Sequence, residues 1–507
     1  MLFGTDGIRG EICLSPNSYQ EAVELLLQER KLCNKLMHLV GLGLGEISGD
    51  GSTVIIGWDD RPSNTEIVRS LTSGLQSKGC YVIHAGMCAT PGLQNALLET
   101  KSDFGCMITA SHNPVSDSGI KIFDSQGYKT YPEFENDFSN LIYEISSNES
   151  ENTCTIYDTK TVSPNSTFDA NSAHQELLLK RFKEFSDMFA LPKSANIIID
   201  SSKGIAHQWI SPFLENLGIN ATEVSLDANA LNENCGAGEL KPTDSWKWEE
   251  IENESHLLIR SLQRTEPGKI IAAALDGDGD RCLIIESTSD GCRVVDGDEM
   301  ADHILRSAKG NWHLAASIES DLSLISSLDR LHCDVSFTQT AVGDRWLANA
   351  LRDSKCQVIG VEDSGHIVLS SPAPNGGRTL VGDGIASLLM VLCAMSCENR
   401  STKLSKGFKK RVSISPSNRS KWTGDNDLAD AVEKIANQSI KGLHRSSLEG
   451  ESNLMLLEKS GLSIGIRNSG TQAKTNVSLR VSSGLETTVA ENVANAIFEM
   501  LRDKISN

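Results

Sequence analysis

Three aspartates at alternate positions form the most distinctive chemical pattern in the sequence. They are Asp276, Asp278 and Asp280, and the two residues between them are glycines. In an extended segment, side chains at i, i+2 and i+4 point the same way, so we expect the three carboxylates to meet. Holding three like charges together is costly without a cation. Because an all-oxygen ligand set suits a hard ion, the pattern predicts a magnesium site.

An EF-hand calcium loop also begins with aspartates at alternate positions, but it needs glycine at its sixth position and glutamate at its twelfth. Here Arg281 and Ser287 occupy those two positions. The run therefore does not predict an EF-hand.

A second candidate site is the segment Thr109-Ala-Ser-His-Asn-Pro114. It follows the apolar run Phe104–Ile108, which we expect to be a buried strand, and its proline prevents that strand from continuing. Ser111 would then lie in a loop at the end of a strand, where active-site groups commonly sit. His112 could orient or protonate a neighbouring oxygen, and Lys121 would supply a basic group further along the same loop.

Two later segments combine polar groups that could bind a sugar phosphate. Arg467-Asn-Ser-Gly-Thr471 offers a guanidinium, two hydroxyls and a glycine that exposes backbone N–H groups, a combination that cradles phosphate. In Gly360-Val-Glu-Asp-Ser-Gly-His366, an extended backbone would put Glu362 and Ser364 on one side and Asp363 on the other. Glu362 could accept hydrogen bonds from sugar hydroxyls, and His366 could donate one to an oxygen.

The elements around these motifs alternate between helical patterns and short apolar strands, which is typical of α/β layers. A chain of 507 residues is too long for one hydrophobic core, so we expect three or four domains. Apolar positions over residues 22–44 predict a helix, and the glycines near its end do not predict a nucleotide loop because no strand precedes them. The polar stretches 146–173 and 399–411 are predicted to be a linker and a solvated connector.

Charge and cysteine content restrict the partners and the compartment. Lys and Arg total 47 against 67 Asp and Glu, a formal net charge of −20, which disfavours nucleic acid and anionic membranes as partners. The 13 cysteines are scattered without a C-x-x-C pair, which indicates reduced thiols. Neither a signal-peptide pattern nor a long apolar run is present, so we expect a cytoplasmic protein.

These motifs, taken in order, resemble those of the α-D-phosphohexomutase superfamily. The opening Leu2-Phe-Gly-Thr-Asp-Gly-Ile-Arg-Gly10 is similar to the start of its phosphoglucosamine mutases. TASHNP resembles the phosphoserine loop of the superfamily, DGDGDR its metal loop, GVEDSGH its sugar-recognition loop and RNSGT its terminal phosphate loop. Lesser matches are Asp59 and Arg61 in a G-x-D-x-R-x-S stretch, AVGD ending at Asp344, and the GDG around Asp383.

The resemblance implies four domains around a central cleft, three of them related α/β domains with mixed sheets and the fourth a smaller C-terminal α+β domain. We expect the serine loop in residues 1–160, the metal loop in 170–290, the sugar-recognition loop in 291–400 and the phosphate-binding loop in 411–507.

The resemblance also assigns roles by position. Ser111 corresponds to the phosphoryl carrier, and its phosphate would complete the ligands of a magnesium ion held by Asp276, Asp278 and Asp280. Groups that face phosphate or handle protons are expected at Arg9, His112, Lys121 and Arg281, and either Lys121 or His112 would be the general acid/base. Substrate-binding residues are expected at Glu362, Ser364, His366, Arg467, Ser469, Gly470 and Thr471.

The implied reaction is an isomerisation of a hexose or hexosamine phosphate. Phosphorylated Ser111 would give its phosphoryl group to the sugar, and the bisphosphate would then return its other phosphate to the serine. Glucosamine 6-phosphate and glucosamine 1-phosphate are the expected pair, with phosphomannomutase or phosphoglucomutase activity as the alternative. The cofactors would be Mg²⁺ and a sugar 1,6-bisphosphate that serves as activator and intermediate. The sequence leaves the oligomeric state open.

Some residues depart from the superfamily pattern. Ser118 replaces the usual asparagine, Asn468 replaces proline, and Gln472 and Ala473 replace a Glu-Pro pair. These changes are compatible with the implied chemistry and bear mainly on which sugar phosphate is the substrate.

Two other classes of protein stay open as less favoured alternatives. A strand followed by D-x-D is typical of aspartate-nucleophile phosphatases, but Asp280 stands where that motif has threonine or valine. The altered terminal loop would also fit an inactive sugar-phosphate sensor.

Overall fold

The protein is described by a computed structural model that covers residues 2–4, 6–148, 161–193, 196–451, 453–469 and 473–506. The chain forms two compact units, residues 1–300 with 364–398 and residues 301–363 with 399–507. Both are built from mixed α and β elements, which confirms the predicted fold class. The four domain boundaries given above stay a prediction.

The strands follow in chain order. They are β1 (Ile8–Ile12), β2 (Lys31–Leu32), β3 (Thr53–Trp58), β4 (Tyr81–Met87), β5 (Phe104–Ile108), β6 (Asp117–Asp124), β7 (Ser166–Thr167), β8 (Asn196–Asp200), β9 (Asn220–Glu223), β10 (Ser245–Lys247), β11 (Ile270–Leu275), β12 (Cys282–Ser287), β13 (Gly291–Val295), β14 (Asn311–Ser317), β15 (Asp334–Thr340), β16 (Gln357–Val361), β17 (Ile367–Pro372), β18 (Arg378–Gly382), β19 (Phe408–Ile414), β20 (His444–Ser446), β21 (Leu454–Lys459), β22 (Leu462–Asn468) and β23 (Thr475–Val481).

The helices are numbered in the same way. They are α1 (Tyr19–Glu29), α2 (Asn34–Ser48), α3 (Asn64–Ser77), α4 (Thr90–Thr100), α5 (Pro132–Asn148), α6 (Ala170–Met188), α7 (Ile210–Asn216), α8 (Leu257–Ser261), α9 (Gly297–Leu305), α10 (Leu322–Ser326), α11 (Asp344–Leu351), α12 (Gly384–Met395), α13 (Asp427–Ser439) and α14 (Thr488–Ile505).

Two mixed sheets organise the first unit. One has the order β2-β1-β6-β5-β3-β4-β7, in which β6 runs antiparallel between β1 and β5. The other has the order β10-β13-β12-β11-β8-β9, in which β8 is parallel to β9 and β11 and the remaining pairs are antiparallel. The same unit contains the hairpin of β17 and β18 and the apolar helix α12.

The second unit contains a parallel set and an antiparallel sheet. Strand β14 pairs in parallel with β15 and β16. The C-terminal sheet has the order β19-β23-β22-β21-β20 with antiparallel neighbours. Its apolar face packs with α13 and α14 around the fully buried Trp422.

Glycines let two helices of the first unit approach each other closely. A Cβ on Gly41 of α2 would lie 2.4 Å from the Leu71 carbonyl oxygen, and one on Gly74 of α3 would lie 2.2 Å from the His38 carbonyl oxygen. Gly41 therefore serves helix packing: it lies inside α2 and not in a loop between a strand and a helix.

Three local predictions differ from the structure. The single helix predicted over 22–44 is wrong, because α1 ends at Glu29, the next residue Arg30 has a left-handed φ of 53°, and β2 follows before α2 begins. In the predicted linker 146–173, the described part contains β7 and the start of α6, whereas 149–160 lies outside the described residues. The predicted connector is wrong from residue 408 onward, because β19 begins there and pairs with β23.

None of the helices in the described part of the chain is both long and apolar enough to cross a membrane.

Candidate active site

The serine loop lies in the first unit, where β5 ends. Ser111 is almost fully buried, and its φ of 54° is left-handed. Its backbone N–H donates to the Thr109 hydroxyl at 2.8 Å. The position predicted for Lys121, in this loop, is wrong. Lys121 lies in β6, where it pairs with Met107 across the sheet.

The three aspartates lie in the turn that joins β11 to β12. This turn corrects the extended backbone assumed from the sequence, since β11 ends at Leu275 and Gly279 has a left-handed φ of 74°. The side chains of the triad nevertheless converge. Their carboxylate oxygens lie within 4.8 Å of one another, and all three residues are buried.

The serine and the acidic turn meet directly. The Ser111 hydroxyl donates to Asp276 Oδ2 at 2.6 Å, although 165 positions separate the two residues in the chain. Burial, followed by the charges of Asp280 and Asp278, raises the pKa of the Asp276 carboxyl to about 8. The structure thus brings together the hydroxyl and the acidic cluster that the sequence singled out.

Lys121 places its ammonium between the other two carboxylates. Its Nζ donates to Asp278 Oδ2 and Asp280 Oδ2, each at 2.7 Å. Burial alone would lower the pKa of Lys121, but the surrounding carboxylates hold it well above its ordinary value. The lysine is therefore a charged partner of the acidic turn.

Asp6 lies among three basic side chains, one of which is Lys121. Its Oδ2 lies 3.0 Å from Arg9 Nη2, 3.2 Å from Lys129 Nζ and 3.3 Å from Lys121 Nζ. Burial would raise the pKa of Asp6, yet these cations hold it well below its ordinary value. Arg9 also donates to the Ala110 carbonyl at 3.3 Å, so it contacts the serine loop itself.

Two histidines and Arg281 complete this part of the site. His366 Nε2 lies 2.8 Å from Asp280 Oδ1, and the Arg281 backbone N–H donates to Asp276 Oδ1 at 3.1 Å. The charge of Arg281, followed by burial, lowers the pKa of His112 to about 2. The His112 ring is therefore neutral at neutral pH.

The donor set fits a divalent cation. The triad supplies three buried carboxylates at ligand spacing, and the Ser111 hydroxyl provides a further oxygen. Among the buried side-chain atoms of the described chain, Asp278 Oδ1 has no hydrogen-bond partner. An all-oxygen set of this kind is suited to Mg²⁺.

The predicted sugar-recognition residues lie in a turn, not in the extended segment assumed from the sequence. In the second unit, Glu362 Oε1 accepts from the Gly343 backbone N–H at 2.6 Å, and Asp363 Oδ2 accepts from Lys409 Nζ at 2.8 Å. In the first unit, Ser364 is half-buried before β17.

The predicted phosphate-binding loop follows β22 in the second unit. Arg467 pairs there with Glu451 at 2.9 Å and with Glu319 at 3.3 Å. The Ser469 carbonyl accepts from Arg419 Nη1 at 2.6 Å. Gly470 and Thr471 lie outside the described residues.

Some residues at the site were not singled out by the sequence reasoning. Thr90, at the start of α4, donates through its hydroxyl to Asp278 Oδ2 at 2.5 Å and through its backbone N–H to the Asp278 carbonyl at 2.9 Å. Asp6 belongs to the opening motif, but the sequence pattern indicates no role for it. Ser118, one of the departures, donates to Asn64 Oδ1 at 2.7 Å, so its hydroxyl has a structural partner.

Comparison with protein families agrees with this arrangement. The family model of the phosphoglucomutase/phosphomannomutase α/β/α domain I matches residues 1–149, and that of domain III matches residues 296–413. A curated relative, the phosphoglucosamine mutase of Roseobacter denitrificans, is 28% identical over an alignment of 513 positions. The alignment covers 99% of this chain and 99% of the relative.

Solved structures share the fold over the whole chain. A phosphoglucomutase/phosphomannomutase family protein from Burkholderia thailandensis superposes with a TM-score of 0.67 at 17% identity, covering 100% of this chain and 98% of that one. The N-acetylphosphoglucosamine mutase of Aspergillus fumigatus, solved with GlcNAc-6P and magnesium, gives a TM-score of 0.58 at 14% identity and covers 99% and 96%. Because two domain models of one family together match more than half of its length, the chain belongs to the phosphoglucomutase/phosphomannomutase family.

Proposed function

We propose that the protein is a phosphoglucosamine mutase that interconverts glucosamine 6-phosphate and glucosamine 1-phosphate. The observation that carries the proposal is the 2.6 Å hydrogen bond from Ser111 Oγ to Asp276, beside two more buried carboxylates. The name shared by the curated relatives supports glucosamine phosphate as the substrate. Family membership supports an intramolecular phosphotransferase.

In the first half of the proposed reaction, phosphorylated Ser111 donates its phosphoryl group. The bond between phosphorus and Ser111 Oγ breaks, and a new bond forms to the free hydroxyl of the sugar phosphate. The proton of that hydroxyl passes to a base on the protein, and Ser111 Oγ leaves as the alkoxide or takes up a proton. The product of this half is a sugar 1,6-bisphosphate.

In the second half, the bond between the other phosphorus and its sugar oxygen breaks, and a new bond forms from that phosphorus to Ser111 Oγ, which has lost any proton it took up. The base returns its proton to the sugar oxygen. The serine is again phosphorylated, and the isomeric monophosphate is released. The cycle consumes neither phosphate nor water, because the serine ends it phosphorylated. A protein whose serine has lost its phosphoryl group needs a bisphosphate to phosphorylate the serine again.

Residues of this chain hold the reacting groups in place. Asp276, Asp278 and Asp280 would hold Mg²⁺, which would neutralise charge on the transferring phosphoryl group. Lys121 keeps two of these carboxylates aligned at 2.7 Å each, and His366 holds Asp280 from another side at 2.8 Å. Positioning of this kind supplies much of the catalysis in phosphoryl transfer.

Two groups could move the proton. Lys121 lies against the acidic turn, and His112 follows Ser111 directly in the chain. The roles proposed for the substrate-binding residues rest on the resemblance alone, and these residues are Arg281, Glu362, Ser364, His366, Arg467, Ser469, Gly470 and Thr471.

A cytoplasmic location and a small-molecule sugar phosphate as partner belong to the same proposal. All cysteines in the described part of the chain are free thiols, which is consistent with a reducing compartment.

Replacing the proposed carrier tests the function. Ser111→Ala should lower turnover of glucosamine 6-phosphate by at least about a thousandfold, because no hydroxyl remains to carry the phosphoryl group. Turnover is measured with Mg²⁺ and glucose 1,6-bisphosphate supplied. The matched control is Ser116→Ala, which removes an exposed hydroxyl from the same loop. Near-normal turnover by Ser111→Ala would remove the central assignment.

Comparing three substrates tests the choice of sugar. We expect kcat/KM for glucosamine 6-phosphate to exceed that for the corresponding mannose and glucose phosphates by at least about tenfold. A preference for mannose or glucose phosphate would instead support the phosphomannomutase or phosphoglucomutase alternative. Absence of isomerisation on all three would contradict the proposed activity.

A further inference from the structure

The backbone of Ser111 has an unusual conformation that the neighbouring residues must hold in place. Its φ of 54° lies in the left-handed region, which is unfavourable for a residue other than glycine. Such a conformation persists only where the surroundings fix it. The acidic turn leaves space for the Ser111 backbone because residue 277 is a glycine. A Cβ at that position would lie 2.8 Å from the Ser111 carbonyl oxygen.

Arg61 holds the serine loop from one side. Its Nη2 donates to the carbonyl oxygens of Ser111 at 2.9 Å and Asn113 at 3.0 Å. Its Nη1 donates to the carbonyl of Pro114 in the same loop and to that of Asp117, the first residue of β6. Its Nε donates to a carboxylate, Asp59 Oδ2, at 3.0 Å. All five N–H groups of this buried guanidinium are therefore used, three of them on the serine loop and one on the strand that follows it.

Asn232 holds the same two carbonyls from the other side. Its Nδ2 donates to the carbonyl oxygens of Ser111 and Asn113, each at 2.8 Å. Its own Oδ1 accepts from the hydroxyl of Ser202, which lies in the loop after β8. Asn232 is only 8% exposed and has a left-handed φ of 59°, a conformation that asparagine tolerates. The side chain thus ties the serine loop to the second sheet of the first unit.

We propose that Arg61 and Asn232 are positioning residues for phosphoryl transfer, which deepens the proposed function and rests on it. Together they fix the left-handed backbone that aims Ser111 Oγ at Asp276. Because both side chains bind the Ser111 carbonyl, they leave the hydroxyl free to carry a phosphoryl group. Neither residue contacts the reacting atoms.

The substitution Asn232→Asp tests this role directly. Aspartate has the same shape and tolerates the left-handed backbone, but it presents an oxygen to two carbonyl oxygens in place of two N–H donors. We expect kcat to fall by about a hundredfold, as is typical when a reacting group is displaced by 1 Å. KM should change by less than about threefold, since substrate contacts are untouched.

The matched control is Asn234→Asp. Asn234 lies two positions away, has the same left-handed conformation with a φ of 53°, and is exposed. This variant adds the same charge to the same loop, so its kcat and KM should equal those of the unmodified protein. Asn232→Gly removes the amide without adding charge and keeps the backbone conformation, so it should also lower kcat selectively even if Asn232→Asp folds poorly.

A crystal structure of Asn232→Asp tests this proposal independently of the proposed function, because the structure can be determined whether or not the protein is active. We expect the Ser111 φ to leave the left-handed region and the distance from its Oγ to Asp276 to increase. An unchanged Ser111 backbone would overturn the proposal, and so would a kcat within about twofold of that of the unmodified protein. Absence of mutase activity in the unmodified protein would overturn the function instead.

Discussion

Asp276, Asp278 and Asp280 carry carboxylates inside the protein, where the repulsion between like charges is strong. The Lys121 ammonium offsets part of this charge by bonding to two of the three. Asp278 Oδ1 is buried and has no partner among the described residues. A divalent cation bound by the triad would both offset the remaining charge and use that oxygen.

The substitution Asp278→Asn tests the metal site at this scale. It removes one charge and one anionic ligand while keeping the shape, so affinity for Mg²⁺ should weaken by at least about tenfold. Calorimetric titration of the purified protein with Mg²⁺ measures this change. Turnover should also stop when a chelator removes the metal.

The control for this variant is Asp290→Asn, which neutralises an exposed aspartate between β12 and β13. Its Mg²⁺ affinity should equal that of the unmodified protein. Equal affinity in Asp278→Asn and in the control would show that the triad is not a metal site.

The identities of the triad and of Ser111 could be predicted from the sequence because each stands in a short contiguous motif. The backbone conformation that orients their side chains could not be predicted. Alternation suggested an extended run, whereas the chain turns at Gly279 and still brings the carboxylates together. Thr90 and Asn232 could not be found either, because they reach the site only through folding and belong to none of the quoted motifs.

At the scale of elements, the contact between α2 and α3 supports the sheet that carries the serine loop. The two helices cross where Gly41 and Gly74 face each other's backbones, with the Cα of Gly74 only 3.0 Å from a Cβ built on Gly41. Flexible side chains could move aside at such a point, but backbone atoms cannot. Each glycine is therefore required for the close approach.

Gly41→Ala should destabilise the first unit by about 2 kcal/mol. The added methyl group meets the Leu71 carbonyl at 2.4 Å and forces the helices apart, which outweighs the gain of about 1 kcal/mol in helix propensity. Denaturant unfolding monitored by circular dichroism measures the change. Glu46→Ala, at an exposed position of the same helix, should change the stability by less than about 1 kcal/mol. A Gly41→Ala variant as stable as the unmodified protein would contradict the packing described for these helices.

The type of most elements could be predicted from periodicity, but some boundaries could not. The apolar pattern over 22–44 is compatible with one helix, yet the left-handed Arg30 ends α1 and lets β2 join the sheet edge. Residues 408–411 look like a solvated connector because they include Lys409, Lys410 and Arg411. They form an edge strand instead: the backbone groups that face β23 pair with it, and charged side chains such as lysine are common on edge strands.

At the scale of the whole molecule, the acidic chain brings several of its cations together at the site. The chain carries a formal net charge of −20, yet Arg9, Lys121 and Lys129 are gathered around Asp6 and the acidic turn. An anionic substrate must be held by such a local cluster against the overall field. The family could be predicted from the sequence, because its motifs occur in one order from the first residues to Thr471.

The position of the phosphate on the protein decides whether Ser111 is the phosphoryl carrier. The protein is incubated with Mg²⁺ and glucose 1,6-bisphosphate, freed of ligand and digested, and its peptides are mapped by mass spectrometry before and after hydroxylamine treatment. We expect one phosphoryl group on Ser111 that hydroxylamine does not remove. Phosphate on Asp276, Asp278 or Asp280 that hydroxylamine removes, or an unmodified Ser111 in a protein that turns over substrate, would contradict it.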